Sequence, residues 1–558
     1  MRNLILFFAL FLFSCRKYEA RLEQQNLSSG IVRVTQNGSV GVNGAKIGEM
    51  VTVYAKVGEP GAALQFFAGG VAADVISHGS RQIIVQPEAG GQTAALPVDT
   101  FDIQISSTAK IGPGTLYFSL DGKSSAALPF EIFRPDILVP GKSFVDPFLY
   151  TYMDSVRQGD GSYSYMLPNE LRDGMVGQAV INQVSSLAYD ANGNTFYFID
   201  RQPDDNSYRI RQLRQGQVTT IAGGGNNYMA TTAAQLKLSA IEDLQPGPDG
   251  WLYFSSKFYT DPDPVTGFTA RHALIERLQP ATGVVEILVG GKRVIEKYYS
   301  RPYDDYTGIE DGSRDSAMVI YPQSFTFDKQ GNLYFLDGTA EYAGSGTLLR
   351  RLNRDGTLET VLGKIGKEVY DYEDVDGVLY KVPFYYSLDE HMDGFGDAVR
   401  LSGASGLVLA GNGKLYIPCS GAGWRQNIVE VNPETLEAAT IVGMPEGQQS
   451  SLRTGTFREV DLGGITSFDV DFDGNILFGQ NIIYKMNLQE ETIAKLAGGG
   501  TYGGDLRALV KQRQSGENAN LTGRLNKIVF DQFGNLYVGF DYNIPPTDMK
   551  ISKIVIEH

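Results

Sequence analysis

Gly331-Asn332-Leu333-Tyr334-Phe335 is the stretch on which the fold turns, because five variants of it recur along the chain. They are Gly193-Asn194-Thr195-Phe196-Tyr197-Phe198, Gly250-Trp251-Leu252-Tyr253-Phe254, Gly413-Lys414-Leu415-Tyr416-Ile417, Gly474-Asn475-Ile476-Leu477-Phe478 and Gly534-Asn535-Leu536-Tyr537-Val538. In each, an apolar strand runs into a glycine turn, and an aromatic-rich strand returns. Glycine supplies the positive φ that such tight hairpins require. A third strand follows every hairpin: 209–213, 274–278, 348–352, 428–431, 482–486 and 551–556. A fourth follows in five of the six: 218–222, 284–289, 358–362, 438–442 and 492–496. Four antiparallel strands repeated six times predict a six-bladed β-propeller. Period-2 alternation, with no long stretch of 3.6-residue period, excludes a helical solenoid.

The sixth repeat stops after its third strand, and an open ring would expose strand edges. The missing strand is therefore expected from the start of the domain. Ile137-Leu138-Val139-Pro140-Gly141 mirrors Ile287-Leu288-Val289-Gly290-Gly291, so residues 136–141 are the predicted closing strand of a propeller spanning 136–558. The repeats resemble NHL repeats, above all in Arg209-Ile210-Arg211 followed by Gly216-Gln217-Val218-Thr219-Thr220-Ile221-Ala222-Gly223. That resemblance implies a propeller of the kind usually used for protein–protein scaffolding.

Residues 31–135 carry seven short alternating segments separated by Gly, Pro and Asp turns. This predicts an immunoglobulin-like β-sandwich ahead of the propeller, and an all-β chain. The domain resembles the IPT/TIG family in Gly48 before an alternating strand, in the hairpin Phe67-Ala68-Gly69-Gly70-Val71-Ala72-Ala73, and in Ile83 to Pro87. The resemblance implies a spacer or docking module. His78, beside Gly79, is expected in a solvated turn.

Residues 1–14 open with a short basic start, and Leu4 to Phe13 is an unbroken apolar run. It is too short for a bilayer span, which needs roughly 20 residues, and suits a signal peptide. Leu12-Phe13-Ser14-Cys15 resembles the lipobox of bacterial lipoproteins. By that resemblance, cleavage precedes Cys15, whose sulfur carries the lipid, and residues 15–30 form a tether. The membrane is then met only through this anchor. The resemblance places the protein on the outer membrane of a Bacteroidetes-type cell and leaves the leaflet open.

Composition narrows the partners. The 558 residues exceed what one core usually spans. A formal net charge of −16, with no dense Lys/Arg cluster, argues against nucleic acid. Cys15 and Cys419 are the two cysteines, so the exported part has no internal disulfide. Cys419, ending an apolar strand, is expected to be a buried, inert thiol.

In a four-stranded antiparallel blade, the connections from strand two to three and from strand four to the next blade leave from one end. The long insertions fall there. They hold Tyr298, Tyr299, Arg301, Tyr303 and Asp304; Tyr372, Tyr385, Tyr386 and His391; Asp337; and Trp424 with Arg425. Sugars present apolar C–H faces that stack on aromatic rings and hydroxyls that pair with Asp, Arg and Asn. These residues are the expected ligand-binding set, and a glycan the expected ligand, with packing of the tyrosines against the scaffold as the rival account. A glycan-cleaving hydrolase or lyase would draw on Asp304, Asp305, Asp337 or Asp393 with His391. A protein scaffold, with an outer-membrane protein as partner, is the third reading. Three histidines for a zinc site do not cluster, Tyr372-Glu373-Asp374-Val375-Asp376-Gly377 lacks a full calcium-loop pattern, and there is no G-x-S-x-G elbow. No cofactor, metal or catalytic residue is therefore assigned.

Overall fold

The computed structural model describes residues 30–556, apart from several segments. These are 37–38, 58–63, 86–93, 107–108, 135–137, 139–141, 151–153, 158–162, 167–170, 203–206, 260–269, 291–293, 296–309, 339–345, 364–368, 376–377, 385–390, 421–425, 444–452, 463, 480–481, 501–512, 520, 522–524 and 541–548. Among the described residues there is no α-helix, and the chain is nearly all β. It divides into two compact units with the boundary at Asp136 and Ile137.

The first unit is a set of antiparallel strands with one parallel pair at its edge. Gly30–Gln36 pairs with Met50–Lys56, which pairs with Ala94–Gln104, which pairs with the long strand Val71–Val85. Val71–Val85 also turns back onto Leu64–Ala68, followed in order by Gly112–Leu120, Leu128–Phe133 and Gly44–Lys46. Period-2 burial along these strands gathers Val51, Val53, Ala55, Phe66, Phe101, Ile103, Leu116, Phe118 and Ile132 into one core. His78 is not in a turn. It lies inside Val71–Val85, with its ring stacked on Phe101 at 4.7 Å and Nε2 3.6 Å from Asp99. The Ser-Gly-His composition suggested a loop, but cross-strand pairing with Ala94–Gln104 carries the strand through it.

The second unit is a six-bladed β-propeller. From the axis outward, blade 1 is Val184–Asp190, Thr195–Gln202, Ser207–Arg214 and Gln217–Ala222. Blade 2 is Ile241–Pro246, Leu252–Tyr259, Ala270–Leu278 and Val285–Gly290. Blade 3 is Pro322–Phe327, Leu333–Gly338, Gly346–Leu352 and Thr357–Leu362. Blade 4 is Val408–Leu409, Leu415–Ser420, Gln426–Asn432 and Glu437–Val442. Blade 5 is Ser467–Val470, Ile476–Gly479, Ile482–Asn487 and Thr492–Gly498. The inner strands neighbour one another in sequence around the axis, and the inner strand of blade 6, Leu525–Phe530, meets that of blade 1, so the ring is closed.

Blade 6 adds Leu536–Phe540 and Met549–Ile556, and its fourth strand is Ser143–Tyr150, antiparallel to Met549–Ile556. The segment after the first unit does close the ring, but with 143–150 rather than 136–141. Of that predicted strand only Leu138 is described; it is buried, and its carbonyl accepts from Lys485 Nζ. Pro147 sits in the closing strand at a register shift, where its missing N–H costs no ladder bond.

The hairpin turns follow from their sequence. In Asp328, Asp471 and Asp531 a carboxylate accepts the N–H and the side-chain amide of the Asn four residues on, boxing the turn. Gly250, Gly331, Gly413, Gly474 and Gly534 take positive φ as expected. In blade 1 the left-handed place falls to Asn194, not Gly193. Asparagine tolerates that conformation better than most residues.

Candidate functional site

Each inner strand would present a free edge to the axis, and side chains of neighbouring blades fill it. Ser467 Oγ accepts the N–H of Ile528 at 2.7 Å, and Asp469 Oδ2 that of Phe530 at 2.7 Å. Asp243 joins four blades. It accepts from Ser186 Oγ at 2.7 Å, from the Phe325 N–H at 2.8 Å, and from Lys527 Nζ at 2.9 and 3.1 Å, and it is buried. Burial pushes the Asp469 carboxyl up to about 6, against the opposing hydrogen bonds from the backbone and the field of Lys527. These axial groups satisfy one another and tie neighbouring inner strands together. Sequence reasoning missed them. Their one signal was a charge inside an apolar run, as in Ile241-Glu242-Asp243-Leu244.

A second network stands where the connection entering a blade crosses its second and third strands. In blade 1 the fully buried Arg211 donates to Asp200 at 2.8 Å, to Asp173 at 3.0 Å, and to the carbonyls of Val180 and Arg172. Blade 3 repeats it: Arg350 donates to Asp337 and to Asp311, each at 2.8 Å, and to the carbonyls of Met318 and Glu310. Thr220 and Thr360 each give both N–H and hydroxyl to the outer Asp.

This geometry corrects the assignment of Asp337 to a ligand face. Its carboxylate is fully buried, with Oδ1 holding the N–H groups of Ile320 and Tyr321 and Oδ2 the guanidinium of Arg350. A strand-end Asp beside a loop looks the same in sequence whether it faces solvent or an arginine.

Blades 2 and 4 depart from the pattern. In blade 4 Cys419 and Val429 stand where blades 1 and 3 have Asp and Arg. The outer Asp393 survives, held by Thr440, and takes His391 Nε2 at 2.7 Å instead. Burial pushes the Asp393 carboxyl up, but the bonds from the Thr440 backbone, His391 and the Thr440 hydroxyl outweigh it and hold it below the ordinary value. The His391 ring is almost wholly buried, so it completes the blade rather than lining an open surface. Cys419 is fully buried, and burial, with the field of Asp393, pushes its thiol up, as an inert thiol requires.

In blade 2, Ser256 and Glu276 hold the two places. Ser256 donates to Glu276 Oε2, while Oε1 has no partner among the described residues. Burial raises the carboxyl to about 7, opposed only by the Ser256 bond. Because the folded value lies above the unfolded 4.5, the contribution is favourable below about 4.5 and is lost as pH rises through 7. Glu276→Gln should therefore leave stability at pH 5 nearly unchanged and raise it at pH 8 by about 3 kcal/mol. Melting curves of both proteins at the two pH values check this; equal shifts at both would contradict it.

Of the remaining predicted residues, Tyr372 lies in Val369–Val375, its backbone opposite Lys381 of the hairpin partner Val378–Phe384. Trp424, Arg425, Tyr298, Tyr299, Arg301, Tyr303, Asp304, Tyr385, Tyr386 and the lipidation candidate Cys15 lie outside the described residues. Among the described residues, no group of three or more His, Cys, Asp or Glu could hold a metal ion.

No family model matches the chain. A stretch of 156 residues is 25% identical to Teneurin-3 of Danio rerio, a match that spans 27% of this chain and 5% of that protein. Among solved structures, a Bacteroides thetaiotaomicron VPI-5482 protein of unknown function is 12% identical, with 95% of this chain and 99% of that one covered and a TM-score of 0.44. A puromycin-hydrolyzing peptidase of Mycobacterium tuberculosis is 13% identical, covering 74% of this chain and 62% of its own, with a TM-score of 0.29. Likenesses this distant carry no activity over to the present chain.

Proposed function

We propose that this is an exported lipoprotein, anchored through Cys15 to the outer membrane, whose NHL-type propeller captures a glycan while an IPT/TIG-like sandwich serves as spacer. The observation that carries a binding role is topological. The blade order sends the connections 223–240, 291–321, 363–407, 443–466 and 499–524 away from the same end of the ring, and those between second and third strands with them. At the opposite end the strands within each blade are joined by short turns, with brief connection segments such as Gly174–Met175 and Gly312–Ser313 paired beside them, and Arg211, Arg350, Asp200 and Asp337 are consumed in holding the blades together. The loop end is where the sequence concentrates Tyr, Trp, Arg and Asp, the residue types that suit a glycan.

A glycan array probed with a soluble form of the chain, cut after Cys15 so that it carries no lipid, tests the ligand class. Trp424→Ala should then weaken binding of the best glycan by roughly 1–3 kcal/mol with an unchanged melting temperature. Titration calorimetry reads the first and a thermal melt the second. No glycan bound, or unaltered affinity, would remove the glycan reading and favour a protein partner.

A further inference from the structure

The short-turn end of the ring holds a cleft of about 610 Å³ between blades 2 and 3. Its floor is apolar, built from Tyr253, Leu288, Phe327, Leu333 and Leu352. The turn of blade 2 at Pro248 and that of blade 3 at Gly331 approach each other across it, since a Cβ added at Gly331 would lie 3.6 Å from Pro248 and 3.9 Å from the Arg354 stem. The rim is charged, and its charges differ in how they are used. Asp249 accepts from the Tyr253 hydroxyl at 2.9 Å and from Arg277 at 3.2 Å, and Arg277 is further held by Glu286. Asp355 accepts the N–H of Thr357. Arg314, Lys329 and Arg354, all exposed, form no ion pair among the described residues.

The lining thus carries four cations (Arg277, Arg314, Lys329, Arg354) against three carboxylates (Asp249, Asp315, Asp355), in a chain whose net charge is −16. The rim mixes charges, with Asp315 beside Arg314 and Asp355 beside Arg354, but its cations outnumber its carboxylates by one, and with apolar side chains below it is the complement of a molecule with an apolar body and one anionic head. A neutral sugar would leave the excess positive charge of the rim uncompensated.

We infer that this cleft is a second binding site, at the short-turn end of the ring, for a small amphipathic organic anion such as an acyl or aryl carboxylate or phosphate. The apolar part lies over the partly exposed Leu288 and Phe327, and the head meets Arg314, Lys329 and Arg354. The site stands independently of the glycan reading.

Calorimetric titration of the mature chain with decanoate, below its micellar concentration and at low salt, tests the site, with decanol as the neutral control. One saturable site is expected for decanoate, with decanol weaker by about tenfold, because only the anion gains charge-assisted contacts. The combined variant R314A/K329A/R354A should lose the preference for decanoate over decanol while keeping its melting temperature, since all three side chains are exposed. Raising salt should erode decanoate binding and leave decanol unaffected. No saturable decanoate binding, or an undiminished preference in the triple variant, would overturn the assignment. A variant that melts lower is replaced by Lys329→Gln and Arg354→Gln singly, each expected to weaken decanoate alone.

Discussion

Replacing Arg350 by Met is expected to cost about 3–5 kcal/mol of stability, among the largest effects of any single change in the propeller. The guanidinium is fully buried and holds Asp337, Asp311 and two carbonyls, so its loss leaves Asp337 as an uncompensated buried charge. Adding Asp337→Asn to the variant should recover part of the loss. The amide oxygen still accepts from Ile320 and Tyr321, while the stranded charge is gone. Chemical denaturation of the wild type, both single variants and the double variant measures the coupling. Strictly additive losses would show that Arg350 and Asp337 act independently.

Leu149→Asp is expected to open blade 6. Leu149 is fully buried in the closing strand, where it shares a cluster with Ile181, Val184, Phe198, Tyr537 and Ile551. Removing a buried leucine costs about 2–5 kcal/mol, and an unpaired carboxylate in its place adds to that. Strand Met549–Ile556 should then lose protection against amide hydrogen exchange well before the middle blades do. A midpoint within about 1 kcal/mol of wild type would mean that the ring holds without this strand.

The blades were legible in the sequence because a glycine turn followed by an aromatic-rich strand recurs in all six, reinforced in most of them by a local polar device. In blades 3, 5 and 6 an Asp, a Gly and an Asn at fixed spacing close the hairpin whatever surrounds it, and the aromatic strand that follows is buried on both faces. The closing strand was harder. Its Pro147 argued against a strand, and the apolar run just before it, Ile137-Leu138-Val139, drew the prediction seven residues early. Nothing local marks a strand whose partner is at the other end of the chain. The reading of Asp337 failed for a related reason: its meaning depends on Arg350, thirteen residues on and one strand away. The parallel pair Asp200 and Arg211 was there to be noticed, since the same two residue types recur across the same two strands. The axial Asp243 and Lys527 come from blades 2 and 6, so no spacing in the chain could have joined them.

The pairing of Ser143 with Ile556 also sets an order of events. Each of the first five blades can zip from its own hairpins, but the sixth needs two segments separated by nearly the whole domain. By the logarithmic law for joining chain ends, spanning about 400 residues instead of about 50 costs only about 2 kcal/mol more entropy. The finished ring therefore loses little stability to its long-range joint. The burden falls on time: blade 6 is the slow, high-contact-order step, and until it forms, the folding intermediate carries two unmatched sheet edges. A chain built this way is most prone to self-association while it is nearly, but not yet, complete.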